Sequence, residues 1–209
     1  MKQVLAFGDS NTWGLVPASA GERYPADVRW TGRLQKELES REIRILEDGV
    51  CGRTTVYEDP VRPGLRGIDD IARYAGTENL DAVILMLGTN DCKKVFHASP
   101  EEIGRGLVQC IDAFEELVPA DRILVISPLL LGEDVWRPDK DPAFDRQSVL
   151  TCRALREVYR SIAAGRGNHF LAASDHTAAS HADEEHLNAE GHERLAAAIW
   201  KKLRESVLL

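Results

Sequence analysis

The sequence of 209 residues lacks most features that mark membrane, exported or nucleic-acid-binding proteins. No apolar run approaches the roughly 20 residues needed to cross a bilayer. The N-terminus lacks the basic-then-apolar pattern of a signal peptide, because Asp9 and Asn11 interrupt the first apolar stretch. With 26 basic and 34 acidic residues, the chain has a formal charge of −8. This balance disfavours nucleic-acid and anionic-membrane partners, so we expect a cytoplasmic protein that binds neither.

Common metal and redox motifs are missing as well. The four cysteines contain no C-x-x-C pair, the spacing typical of zinc sites and of redox dithiols. The H-x-x-E-H zinc pattern fails because Ala182 occupies the place of its first histidine. We therefore expect no metal site, and cysteines that remain reduced.

Nucleotide-binding and α/β-hydrolase signatures are also absent. The sequence has no G-x-x-x-x-G-K-[ST] loop, and Gly104-Arg105-Gly106 lacks the third glycine of a dinucleotide fingerprint. It has no G-x-S-x-G nucleophile elbow, so the α/β-hydrolase fold is not supported.

What the chain does contain is a series of apolar, β-branched runs with helical patterns between them. The runs are Val4–Phe7, Ile43–Leu46, Ala82–Leu87, Ile123–Ile126 and His169–Ala172. Strands that alternate with helices indicate βαβ units and a parallel sheet covered on both faces. We therefore predict an α/β fold in which residues 1–209 form one three-layer α/β/α domain with a five-stranded parallel sheet.

Several helices are predicted by their apolar spacing and their caps. Ser99-Pro100-Glu101-Glu102 supplies an N-cap, an N1 proline and a capping-box glutamate to one of them. The apolar stripes of three others are Trp30, Leu34 and Leu38; Leu150, Leu155, Val158 and Ile162; and Leu195, Ile199 and Leu203.

The least regular stretch of the chain is Leu129–Arg146, which carries an isolated Trp136. Loops this long usually serve as lids, interface arms or disordered connectors. Trp136 is therefore a candidate for substrate or subunit contact, with packing onto its own domain as the alternative.

Residues suited to catalysis follow the predicted strands. Gly8-Asp9-Ser10 places a hydroxyl where open α/β sheets bind ligands, although Asp-Ser-Asn is also ordinary helix-capping chemistry. Gly52 follows the second strand and Asn90 the third. A glycine lets a backbone N–H approach a ligand, and an asparagine offers neutral donors. Asp183 and His186 stand three residues apart, as a carboxylate and the imidazole it orients or as part of a solvated acidic loop.

In this order, these residues resemble the motifs of the SGNH, or GDSL-type, esterase family. The matching segments are Phe7-Gly8-Asp9-Ser10, Gly52-x-Thr54-Thr55, Gly88-Thr89-Asn90-Asp91 and Asp183-x-x-His186. Thr12-Trp13-Gly14 and Asp27-Val28-Arg29-Trp30-Thr31-Gly32 are similar to the arylesterase and acyltransferase branch of that family. The resemblance implies a flavodoxin-like SGNH hydrolase fold.

The resemblance also implies a serine esterase for small acyl esters, short-chain, aryl or alkyl, that works through an acyl-enzyme. Ser10 would attack the ester, His186 would act as the base, and Asp183 would orient His186. The N–H groups of Ser10 and Gly52 and the side-chain amide of Asn90 would bind the oxyanion. The family uses no metal or organic cofactor, and acyl transfer to an alcohol is an implied side activity.

Further expectations concern the substrate pocket and the partners. Asn11, which stands where the family's name has leucine, and Trp13 are expected to contact the substrate, a small ester. Cys51, next to Gly52, is expected to be a core thiol. The branch is known for oligomers, including octamers, so the resemblance implies a homo-oligomer, a dimer or higher. Two alternatives remain: a carbohydrate O-acetyl esterase that uses the same residues, and a non-catalytic flavodoxin-like binding or signalling module.

Overall fold

Five parallel strands form one sheet in the computed structural model, which describes residues 2–76 and 80–205. The strands are β1 (Lys2–Gly8), β2 (Ile43–Gly49), β3 (Leu80–Met86), β4 (Ile123–Ser127) and β5 (His169–Ala172). Their spatial order is β2-β1-β3-β4-β5, the flavodoxin-like order. The predicted α/β class and all five predicted strands are confirmed.

The described residues form six α-helices, five of which cover the two faces of the sheet. They are α1 (Ser10–Trp13), α2 (Trp30–Leu38), α3 (Gly67–Ile71), α4 (Pro100–Glu115), α5 (Arg146–Arg166) and α6 (Ala189–Glu205). Helices α2 and α6 pack together on one face, and α3, α4 and α5 pack on the other. Within the described ranges, none of these helices has the length and apolar character needed to span a membrane.

The central strand β1 explains why the predicted runs are continuously apolar rather than alternating. Leu5 and Phe7 pack in the core under α3–α5, whereas Val4 and Ala6 pack in the core under α2 and α6. All four side chains are fully buried. Because both faces of a parallel sheet are covered, both sets of alternate residues must be apolar.

The predicted helices are confirmed, with one change in the buried stripe of α5. Ser99 and Glu102 form the predicted capping box, since each side chain accepts a hydrogen bond from the other's backbone N–H. In α5, Leu155 is fully buried but Leu150 is 54% exposed. Leu150 follows the buried Val149 by one residue, which places its side chain about 100° around the helix and away from the core.

The irregular segment 128–145 lies between β4 and α5 without a helix or strand of its own. It is nevertheless packed, because its apolar side chains Leu129, Leu131, Val135 and Phe144 are buried. Trp136 packs against the core under α3–α5, and its indole N–H donates to the Glu133 carbonyl at 2.9 Å. Trp136 therefore packs onto its own domain, which was the alternative to substrate or subunit contact.

Candidate active site

The first strand delivers Ser10 to the carboxyl edge of the sheet. Asp9 caps the short helix α1, because its carboxylate accepts a hydrogen bond from the Asn11 N–H at 2.9 Å. Ser10 is thereby fixed at the first position of the helix and is only 3% exposed. Its hydroxyl Oγ lies 2.8 Å from Nε2 of His186. Capping chemistry is thus present at this turn, but Asp9 performs it and the Ser10 hydroxyl faces an imidazole.

The imidazole of His186 is held on its other side by Asp183. Nδ1 donates to Asp183 Oδ2 at 2.9 Å, so Nε2 of the neutral ring is left as an acceptor for the Ser10 hydroxyl. Asp183 also accepts the N–H groups of Ala18, Glu185 and His186, at 3.0–3.1 Å. Burial raises the pKa of Asp183, but the hydrogen bond and charge of His186 and these backbone donors bring it down to about 2. Asp183 therefore remains a carboxylate under ordinary conditions.

The carboxylates around His186 make it a stronger base than an ordinary histidine. Burial alone would lower its pKa, but the charges of Glu185, Asp183 and Asp9 and the hydrogen bond to Asp183 raise it to about 9. The imidazolium that forms when a serine proton is taken up is therefore stabilised.

Gly52 lies in the turn after β2 and has a conformation that glycine favours. Its φ is +90°, and an added Cβ would lie 2.8 Å from the Arg62 guanidinium. Within residues 2–76 and 80–205, the backbone N–H groups of Ser10 and Gly52 donate to no protein acceptor. Both are therefore available to an oxyanion. The neighbouring Cys51 is half-buried rather than part of the core, and burial raises its pKa to about 11.

Asn90 follows β3 and is connected to the turn after β2. Its side-chain amide donates one hydrogen to the Arg53 carbonyl at 3.2 Å, and the other hydrogen meets no acceptor among the described residues. The carboxylate of Asp91 accepts the Thr55 N–H at 2.9 Å and the Thr55 hydroxyl. The structure thus brings together the ends of β1, β2 and β3 with the donors predicted from the sequence.

Arg53 was missed in the sequence, although its side chain supports the ends of β1 and β2 and its carbonyl accepts the amide of Asn90 after β3. Its guanidinium is fully buried and lies 4.1 Å over the Phe7 ring. It donates to the carbonyls of Gly8 and Asp48 and to the carboxylates of Asp48 and Asp70. The only sequence signal was an arginine inside the G-x-T-T segment, and nothing local shows which acids it meets.

Asn11 and Trp13 lie on α1 beside the serine. Asn11 is 1% exposed; its amide oxygen accepts the Leu187 N–H at 2.9 Å, and its amide nitrogen lies 3.4 Å from the Glu185 carbonyl. Both polar groups of Asn11 therefore contact the segment that carries His186. Trp13 is half-buried under the Arg23 guanidinium, 5.1 Å from the ring centre. Substrate contact by either residue stays a prediction.

Glu184 attaches the segment 128–145 to the turn that carries the histidine. Its carboxylate pairs with Lys140 and accepts the Asp134 N–H at 2.7 Å, while its carbonyl accepts the Gly132 N–H at 2.9 Å. Glu184 has a φ of +62°, and a Cβ on Gly132 would lie 2.3 Å from its carboxylate. This contact depends on four chain positions that no sequence motif connects.

The described residues contain no group of three or more His, Cys, Asp or Glu side chains arranged to hold a metal ion. The groups that meet at the site are a hydroxyl, an imidazole, carboxylates and neutral N–H donors. Such a set can perform nucleophilic attack on a carbonyl with general-base assistance.

Comparison with known proteins places the chain among ester hydrolases. No curated protein matches the sequence significantly. Residues 6–194 match the family model of GDSL-like lipases and acylhydrolases. The chain is similar to the inhibitor-bound aryl esterase of M. smegmatis, with 30% identity and a TM-score of 0.91 over 99% of this chain and 100% of that one. It is also similar to a carbohydrate acetylesterase from Sinorhizobium meliloti, with 34% identity and a TM-score of 0.87 over 98% and 99% of the two chains.

Proposed function

Because the chain belongs to the GDSL-like lipase/acylhydrolase family and is a carboxylic ester hydrolase, we propose that it hydrolyses small acyl esters with Ser10 as its nucleophile. The observation that carries the proposal is the continuous hydrogen-bond relay from Ser10 to His186 (2.8 Å) and from His186 to Asp183 (2.9 Å). A serine becomes nucleophilic when an adjacent base is in turn oriented by a third group.

In the first half of the proposed reaction, Ser10 Oγ attacks the ester carbonyl while His186 Nε2 takes the hydroxyl proton. The N–H groups of Ser10 and Gly52 and the amide of Asn90 bind the negative oxygen of the tetrahedral intermediate. The C–O bond to the alcohol then breaks, and His186 gives its proton to the leaving oxygen. An acyl-enzyme on Ser10 remains.

In the second half, a water molecule attacks the acyl-enzyme with His186 again acting as the base. The acid leaves and the Ser10 hydroxyl is restored. An alcohol in place of water would yield a new ester, so acyl transfer is a proposed side activity. A small acyl group is supported by the low exposure of Ser10 and His186, 3% and 7%, because little space is open around the reacting atoms.

Two classes of leaving alcohol are candidates. An aryl or simple alkyl alcohol is supported by the similarity to the M. smegmatis aryl esterase. A sugar alcohol, as in a carbohydrate O-acetyl esterase, is supported by the similarity to the Sinorhizobium meliloti acetylesterase. A homo-oligomeric state and a cytoplasmic location stay predictions.

The proposal is tested with p-nitrophenyl acetate, the wild-type protein and the Ser10→Ala variant. We expect turnover in the wild type and a loss of roughly 10⁴-fold or more in kcat in Ser10→Ala, as when a triad nucleophile is removed. A fluorophosphonate probe should label the wild type at Ser10 and leave Ser10→Ala unlabelled. Equal turnover in both proteins would refute the mechanism. Absence of both labelling and turnover in the wild type would favour the non-catalytic alternative.

A further inference from the structure

Beside the reacting atoms lies the carboxyl group of Glu185, which has no role in the proposed mechanism. Its residue exposure is only 6%, and Oε1 lies 3.7 Å from Nε2 of His186. Nε2 is the nitrogen that faces Ser10, whereas Asp183 occupies the opposite nitrogen, Nδ1. Glu185 is therefore on the side where bonds are made and broken.

The Glu185 carboxylate has no hydrogen-bond donor within the described part of the chain, and its nearest positive partner is His186. Its neighbour Asp183 accepts four hydrogen bonds. Buried carboxyl groups are normally satisfied by donors, because an unpaired one costs free energy. The Glu185 oxygens are not among the fully enclosed atoms that lack a partner, so a donor brought by the substrate can reach them.

The charges around Glu185 determine when it is an acceptor. Burial raises its pKa to about 7; the charge of His186 lowers it, and those of Asp141, Asp183 and Asp9 raise it further. Above that pH the group is a carboxylate, which accepts hydrogen bonds and donates none.

The reaction brings the leaving alcohol next to this carboxylate. His186 Nε2 must come within hydrogen-bond distance of the leaving oxygen to protonate it, about 2.6–3.2 Å. With Oε1 3.7 Å from the same nitrogen, the leaving oxygen and Oε1 lie at most about 7 Å apart, a gap that a substrate hydroxyl can bridge. A hydroxyl on the carbon next to the one that bears the ester oxygen can therefore point at Oε1.

We propose that Glu185 is a specificity-determining residue that accepts a hydrogen bond from a hydroxyl vicinal to the ester group, and so selects acyl esters of polyols and sugars over esters of simple alcohols. This inference rests on the proposed function and decides between its two classes of leaving alcohol. The substrate group that binds Glu185 is a neutral hydroxyl, because a hydroxyl can donate the hydrogen bond that the carboxylate accepts.

Substitution of the Glu185 side chain leaves the local backbone in place. The Glu185 N–H donates to Asp183 at 3.1 Å, and its carbonyl faces the Asn11 amide at 3.4 Å. These contacts use only backbone atoms of residue 185. The left-handed φ in this turn belongs to Glu184.

The experiment compares two acetate esters with the same three-carbon skeleton, 1-acetylglycerol and n-propyl acetate, at pH 8.5. We expect the wild type to have the higher kcat/KM for 1-acetylglycerol. Glu185→Leu should lower the ratio of the two kcat/KM values by about 10- to 100-fold, the size expected for one hydrogen bond to a charged group. Glu185→Gln keeps a neutral acceptor and should lose less. Glu157→Gln, a control that neutralises an exposed glutamate of α5 away from the site, should keep the wild-type ratio.

Several outcomes would overturn the inference. One is a wild-type ratio near or below one, which needs no variant and so does not depend on folding. Another is an equal loss for both esters in Glu185→Leu, which would mean that Glu185 acts only through the charge of His186. Failure of the proposed function has a different signature, namely equal turnover of both esters by wild type and Ser10→Ala.

Discussion

The two halves of the active site reach the same place from different distances along the chain. Ser10, Gly52 and Asn90 each stand within a few residues of the end of β1, β2 or β3, which are neighbours in the sheet. We call these strand ends the serine side. The histidine side is segment 173–188, which carries Asp183 and His186 and follows β5, an edge strand. It must return across the sheet edge past β4 and β3 to reach Ser10.

The serine side and the histidine side also differ in the interactions that hold them in place. The serine side is fixed by strand pairing and by buried side chains such as Arg53 and Asp91. The histidine side contains no helix or strand apart from one short 3₁₀ turn, and it is held by hydrogen bonds and an ion pair from Asn11, Ala18 and segment 128–145. We infer that the serine side depends on the stability of the whole fold, whereas the histidine side can be disturbed locally.

The largest expected effect is on the serine side. Arg53→Met removes a buried guanidinium, its hydrogen bonds to two carbonyls, and the buried partner of the Asp48 and Asp70 carboxylates, which keep only weaker ion pairs with the exposed Arg73. We expect the free energy of unfolding to fall by about 3–5 kcal/mol. Urea denaturation followed by circular dichroism measures it.

A surface arginine provides the control for this substitution. Arg194 pairs with Glu190 on α6, and both side chains are more than half exposed. Arg194→Met should cost well under about 1 kcal/mol. If Arg53→Met were no more destabilising than Arg194→Met, the buried network would not support the serine side.

This contrast also explains what the sequence could and could not predict. Ser10, Gly52 and Asn90 were identifiable because strand ends are visible in the sequence and parallel strands place their carboxyl ends at one edge. The Asn11–Leu187 hydrogen bond joins residues 176 positions apart, and Arg53 meets Asp70 only through the fold. Pairings of this kind leave no local pattern, because hydrophobic periodicity and capping rules concern neighbours within a few residues.

A smaller effect is expected where the two sides meet. Asn11→Ala removes the acceptor for the Leu187 N–H and the donor to the Glu185 carbonyl, so the turn carrying His186 loses its support from α1. We expect kcat for p-nitrophenyl acetate to fall about 10- to 100-fold, as for the loss of one or two buried hydrogen bonds in a positioning contact.

If the histidine side is held separately from the serine side, Asn11→Ala should lower kcat without destabilising the whole fold. The urea midpoint of Asn11→Ala should therefore fall much less than that of Arg53→Met, and its KM should change less than its kcat. A fall in stability as large as that of Arg53→Met, or an unchanged kcat, would show that the histidine side is not held separately.

The smallest expected effect is a displacement of the pH profile, and it isolates the charges on the histidine side. Only neutral His186 can accept the Ser10 proton, so a pKa of about 9 means that kcat/KM rises with pH until about pH 9. The carboxylates of Glu185, Asp183 and Asp9 are the charges that raise this pKa.

Glu185 itself takes up a proton below about pH 7, and its charge then no longer raises the pKa of His186. Glu185→Gln should therefore move the midpoint of the profile to lower pH, while Glu157→Gln, at an exposed position of α5, should leave it in place. Identical midpoints in wild type and Glu185→Gln would mean that the charge of Glu185 does not affect the imidazole. The pKa of His186 would then be raised by Asp183 and Asp9 alone.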